Sequence, residues 1–191
     1  MPRIRPGRPV APAEPAAPSG PLRGQLSGGD PRSLGAVDAV IAVVLAHPDR
    51  LDELIRCVLD GDDQIVRMRA SDALEKLCRT RPSLLQPRLA VLLGDMAGID
   101  QPSVQWHVAQ MLGQLRLTAR QRQRAVRILR DNLEHSTDWI VLNYSLDTLA
   151  IMARQDSTLV EALRVELERF AHHHLRSVSS RACKLRAEFG T

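Results

Sequence analysis

Residues 66–77 read VRMRASDALEKL, and the same apolar frame returns three times. It recurs as VQWHVAQMLGQL at 104–115, VLNYSLDTLAIM at 141–152 and VSSRACKLRAEF at 178–189. The opening valines, Val66, Val104, Val141 and Val178, stand 38, 37 and 37 residues apart. Val66 is followed at helical spacing by Ala70, Leu74 and Leu77, Val104 by Val108, Leu112 and Leu115, and Val141 by Ser145, Leu149 and Met152. Val178 is followed by Ala182, Arg186 and Phe189, with Leu185 covering for the arginine. A fixed period of this size marks a stacked repeat array, in which each unit buries its apolar faces only against its neighbours.

Between these segments the pattern predicts a first helix for every unit, at roughly 49–60, 83–94, 118–133 and 156–171. Asp49, Ser83, Thr118 and Asp156 supply side chains that can accept a hydrogen bond from the free N–H groups of a first turn. Ser83 with Gln86 and Thr118 with Gln121 have the spacing of a capping box. The second helices fall at roughly 64–79, 102–116, 138–154 and 177–189. Leu34 to Ala46 carries the same stripe through Val37, Ile41, Val44 and Leu45, and reads as an N-terminal capping helix. No run alternates apolar and polar residues in the manner of a strand. The expected fold is all-α: an α-α superhelix of about four helix pairs plus one capping helix, over 34–191. Residues 1–33 hold eight of the twelve prolines and no periodicity, so they are expected to be a disordered tail whose removal leaves the melting temperature almost unchanged.

The second helices carry the family resemblance. Asp63, Val66, Arg67, Ala70, Leu74 and Leu77 match the Asp, Val-Arg, Ala, Leu and Leu pattern of HEAT repeats, which the chain resembles over about 34–189. The other units hold Gln105, Leu142 and Ser179 at the arginine position, so the family's Asp–Arg ladder is expected to break after one rung. RMRASDALEK, VQWHVAQMLGQL and DWIVLNYSLDTLA are similar to bacterial HEAT-domain proteins of uncharacterised role. The resemblance implies an armadillo-like solenoid and a binding surface, not a chemistry.

Charge bears on the partner. The chain has a formal net charge of +4, but Arg3, Arg5, Arg8, Arg23 and Arg32 against Glu14 and Asp30 place +3 of it in residues 1–33, leaving +1 for the rest. The nearly neutral folded part argues against nucleic acid as a partner. No apolar run is long enough to span a membrane and no secretory signal precedes the helices, so the expected location is the cytoplasm. Cys57, Cys78 and Cys183 lack metal-binding or disulfide spacing and read as small buried hydrophobes.

Positions three and six past each valine are expected to point away from the apolar frame. They are Arg69, His107, Tyr144 and Arg181 in one row, and Asp72, Gln110, Asp147 and Lys184 in the other. With Trp106 and Asn143 beside them they form the candidate partner-binding surface, rich in the residue types of interface hot spots. A solvated helix face with local Arg–Asp pairs is the plainer account of the same residues. Trp106 is expected to meet a ligand and Trp139 to pack inside. Arg116, Arg120, Arg124 and Arg127 share a face that suits phosphate, or else is a solvated outer surface. His172, His173 and His174 are expected in a loop. No catalytic motif is present, and no His-Glu dipeptide of the kind used by HEAT-type iron hydroxylases.

The expectation is therefore a non-enzymatic scaffold for a protein or peptide partner, without cofactor or metal. The alternative is nucleic-acid binding, or an activity like that of HEAT-type alkylpurine DNA glycosylases, in which Trp106, Asp72 or Asp147, and Arg69 imitate the family's Trp, Asp and Arg.

Overall fold

The computed structural model describes residues 20–30, 33–60 and 62–190. Those residues contain no strand. Their α-helices run in order: α1 Leu22–Leu26, α2 Val37–Ala46, α3 Leu51–Leu59, α4 Gln64–Thr80, α5 Pro82–Leu85, α6 Leu89–Leu93, α7 Pro102–Gln114, α8 Ala119–His135, α9 Trp139–Gln155, α10 Val160–Ala171 and α11 Arg176–Phe189. None of them is long and apolar enough to cross a membrane.

The second helices start where the apolar frame demands. Three residues before Val66, the Asp63 carboxylate accepts the N–H groups of Ile65 and Val66 at 2.8 and 3.3 Å. Three residues before Val141, Asp138 does the same for Ile140 and Val141 at 2.8 and 3.1 Å. Each cap satisfies N–H groups that a helix start leaves free. Gln101 occupies that position before Val104 but caps nothing. Its amide donates instead to the Gln64 carbonyl and the Ser103 hydroxyl, and accepts from Arg67. The single rung expected of Arg67 thus reaches forward to the next unit.

The first helices are less regular than their sequence suggests. Thr118 and Gln121 form the expected capping box of α8. Asp156 caps Thr158 in a short 3-10 turn ahead of α10. Asp49 makes no cap and lies inside a 3-10 turn before α3. The helix expected at 83–94 is broken into α5, a 3-10 turn at Gln86–Arg88 and α6. Pro87 stands at the break, where it offers no N–H and its ring crowds the carbonyl four residues back. Ser83 and Gln86 form no box. Gln86 instead clamps the backbone on both sides of Arg116, donating to its carbonyl at 2.8 Å and accepting its N–H at 3.0 Å.

The apolar frame is the core. Val66, Ala70, Leu74, Leu77, Val104, Val108, Leu112, Leu115, Val141, Leu149, Met152, Val178, Ala182 and Leu185 are all buried. Ser145, in the place of Ala70 and Val108, is buried too, and its hydroxyl accepts from Asn132. The second helices pack side by side in chain order, α2 on α4, α4 on α7, α7 on α9 and α9 on α11. Within pairs, α3 packs on α4, α8 on α9 and α10 on α11. Polar bonds repeat the register: Arg88 to Asp52, Arg122 to Asp156, Arg130 to Glu166 and Arg154 to Glu188 join residues 34 to 36 apart, close to one period.

The boundary expected between tail and folded part is too late in the chain. Leu22 and Leu26 of α1 are fully buried against α2, α3 and α4. The Leu22 N–H donates to Glu53 at 2.7 Å, and Arg50 donates to the Gly20 carbonyl at 2.9 Å. Residues 20–30 and 33 are therefore a packed strap. A leucine pair spaced i, i+4 was the signal for it, diluted by the Pro and Gly around it. The rest of the expected disordered segment, 1–19 with 31 and 32, lies outside the described residues.

Candidate functional site

The outward side chains of α4, α7, α9 and α11 follow from helix geometry. Each residue turns about 100° around the axis. Positions two before and two, six and ten after the frame valine therefore lie opposite it or well to one side. These are Gln64, Met68, Asp72 and Lys76 on α4, and Pro102, Trp106, Gln110 and Gln114 on α7. On α9 they are Trp139, Asn143, Asp147 and Ile151, and on α11 Arg176, Ser180, Lys184 and Glu188. Most of those on α4, α7 and α9 are half-buried, crowded by the helices on either side, whereas those on α11, the last helix, are exposed. Because these helices pack in order, the side chains form one strip across the molecule.

Five of the nine expected site residues belong to this strip: Asp72, Trp106, Gln110, Asn143 and Asp147. Tyr144 sits at its edge, half-buried against the core. Arg181 is exposed and lies 3.5 Å from Asp147. Arg69 and His107 do not belong. On α4 and α7 the third position past the valine, turned about 60° from it, faces a neighbouring element rather than solvent.

Arg69 is 2% exposed. Its guanidinium donates to four backbone carbonyls of the strap: Ser33 at 2.9 Å, Leu26 at 2.8 Å, Gly28 at 2.7 Å and Asp30 at 2.8 Å. Gly35 packs on the same group. A Cβ there would come within 3.1 Å of the guanidinium carbon, and its φ of +56° is one that favours glycine. Arg69 thus has no free donor fork to offer a ligand, and the set imitating a DNA glycosylase loses its arginine.

His107 is 6% exposed and stands between Ser71, 2.9 Å from Nδ1, and Asp72, 3.6 Å from Nε2. Serine, histidine and aspartate in contact invite a catalytic reading. The hydrogen-bond polarity opposes it. The Ser71 hydroxyl donates to the Met68 carbonyl at 2.8 Å, so its one proton is not directed at the ring. Ser71 is also fully buried. The trio is a polar contact between α4 and α7. Burial raises the Asp72 carboxyl, but hydrogen bonds from His107 and Lys76 outweigh it and hold the group below the ordinary carboxylate range.

Trp139, expected inside, is 51% exposed in the first turn of α9. It precedes Asn143 by four residues and so stands over the same stripe. Trp106 is half-buried, edge-on to the His107 ring at 5.4 Å. On the same strip, Asn143 Oδ1 is buried without a hydrogen-bond partner, and so is Gln114 Oε1. Gln114 spends its amide N–H on Glu75.

Comparison with protein-family models, curated proteins and solved structures gave no match.

No cysteine stands at a strip position. Cys57 and Cys78 are buried, and burial raises both thiols, Cys78 to about 12. Cys183, expected to be buried, is exposed on α11. His172 to His174 cross the α10–α11 turn, where the His173 ring stacks on Phe170 at 5.4 Å.

Asp147 makes the strip testable by pH. Burial raises its carboxyl above the ordinary value, against the opposing pull of Arg181 and Arg154. A carboxyl raised on folding destabilises the folded state wherever it is ionised, and that cost vanishes below the unfolded value. Asp147→Asn is therefore expected to raise the melting temperature at pH 7 and to leave it unchanged near pH 3. Calorimetry at the two values checks this; equal shifts at both would refute it.

Proposed function

We propose that the protein is a HEAT-like α-solenoid that serves as a non-enzymatic scaffold, holding an extended segment of another protein along the strip of α4, α7, α9 and α11. The repeat period, the ordered packing of second helices and the one-period spacing of the cross-unit bonds support the solenoid reading. One observation above all supports the site. Trp106 and Trp139 share the strip with the Asn143 amide, whose buried oxygen has no hydrogen-bond partner among the described residues. A peptide N–H laid along the strip satisfies that oxygen, and the two indoles supply apolar contact at low ordering cost.

The experiment is selection of extended peptides from a displayed random library on the wild-type protein, followed by fluorescence anisotropy. Peptides so enriched are expected to bind Trp106→Ala, Trp139→Ala at least about 30-fold more weakly, the loss of two hot-spot contacts at roughly 1 kcal/mol or more each. An enriched peptide that binds both proteins equally, or a library that yields no binder, overturns the reading.

A further inference from the structure

Residues 116–130, RLTARQRQRAVRILR, hold six arginines and no carboxylate. Two of the six turn toward the next unit and are neutralised there, Arg122 by Asp156 at 2.7 Å and Arg130 by Glu166 at 3.0 Å. Arg120, Arg124 and Arg127 lie within a narrow sector on another face of α8, and Arg116 stands in the non-helical segment just ahead of it. All four are exposed, and among the described residues none has a carboxylate at ion-pair distance. Other exposed arginines are matched, such as Arg88, Arg154 and Arg169 by Asp52, Glu188 and Glu134. The remaining unmatched cations, among them Arg23, Arg81, Arg176 and Lys184, are scattered over different elements.

The stripe is held in place. Gln86 clamps the Arg116 backbone, and Arg124 Nε donates to the Leu93 carbonyl. Arg124 and Arg127 border an open groove of about 340 Å³, walled by Gly94, Ala97 and Gly98. Asp131 closes its end with its carboxylate turned to His135 at 3.2 Å.

The helical run from Arg120 to Arg127 and the short non-helical approach from Arg116 together span on the order of 15 Å. A nucleic-acid strand places one phosphate per roughly 3.4 Å of axis, so about four phosphates face four guanidinium groups. Guanidinium forks suit phosphate oxygens, and the stripe carries no aromatic ring to read a base. We infer that the outer face of α8 binds the phosphodiester backbone of a nucleic acid, without base preference, through Arg116, Arg120, Arg124 and Arg127. The site is separate from the strip and does not depend on it. The near-neutral folded part does not preclude it, because charge acts locally over about one screening length.

The test is an anisotropy titration of the full chain with a labelled 20-base-pair DNA duplex. Four neutralised phosphates give a slope of log affinity against log salt near −3.6, or about 150-fold weaker binding at 200 mM than at 50 mM salt. Arg120→Gln, Arg127→Gln is expected to bring the slope to about −1.8. Arg176→Gln, Lys184→Gln removes the same charge from α11 and is expected to leave it unchanged. The variants alter only exposed side chains, and a circular dichroism melt confirms their fold. Absence of binding at 50 mM salt overturns the inference. So does an equal loss in both double variants, which assigns binding to net charge. Displacement of DNA by an equal charge of polyglutamate overturns it too, in favour of an acidic protein partner.

Discussion

Replacing Arg69 by alanine is expected to destabilise the protein by about 3–5 kcal/mol. A hydrogen bond from a charged donor contributes roughly 1.5–3 kcal/mol, and Arg69 makes four of them. Three of the accepting carbonyls belong to exposed residues that water can reach once the side chain is gone, so the full sum is not lost. Arg69→Lys is expected to recover less than half, because an ammonium cannot reproduce the planar fork that spans the four carbonyls. Removal of residues 1–33 strips Leu22 and Leu26 from the core as well, and should cost at least as much as Arg69→Ala. Urea denaturation of the three variants measures this. A loss under about 0.5 kcal/mol for Arg69→Ala, the scale of an ordinary surface substitution, refutes the anchor.

Leu112→Ala is the second large effect. Leu112 is 1% exposed in α7, which packs against α4 on one side and α9 on the other. Truncation removes a buried isobutyl group and leaves a space that its neighbours fill only in part, at about 2–5 kcal/mol. For a chain of this size that corresponds to a fall in melting temperature of roughly 4–20 °C. The side chain of Arg186, which holds the same place in the last unit, is 28% exposed and bonded to Glu168. The difference is one of position: α7 has a second helix on both sides and α11 on one. A melting temperature within a degree of wild type would mean that Leu112 is not confined between helices.

Helix periodicity made most of the fold legible. Residues that must leave water recur wherever a helix meets its neighbour, so Val66, Val104, Val141 and Val178 mark four second helices without reference to coordinates. Capping chemistry is equally local, and Thr118 with Gln121 behaves as its spacing suggests. It fails at Ser83, because the helix starts one residue earlier at Pro82 and Ser83 already lies inside its first turn. Angular arithmetic misled at the candidate site. Arg69, His107, Tyr144 and Arg181 are polar or amphipathic, and polarity suggested solvent. Turned about 60° from the frame, Arg69, His107 and Tyr144 meet the adjoining element instead, whereas Arg181 on α11 is exposed. Trp139 was misplaced for the opposite reason: its size suggested the interior, while its angle pointed outward with Asn143.

The sequence by itself determined the helices, their order and the apolar side of each, because these depend on side-chain type at fixed local spacing. Only the tertiary structure decided what Arg69 and the strap do. The groups that hold Arg69 are backbone carbonyls 36 to 43 residues upstream, and a carbonyl is the same in every residue. No side-chain pattern records where it points until the chain has folded around it.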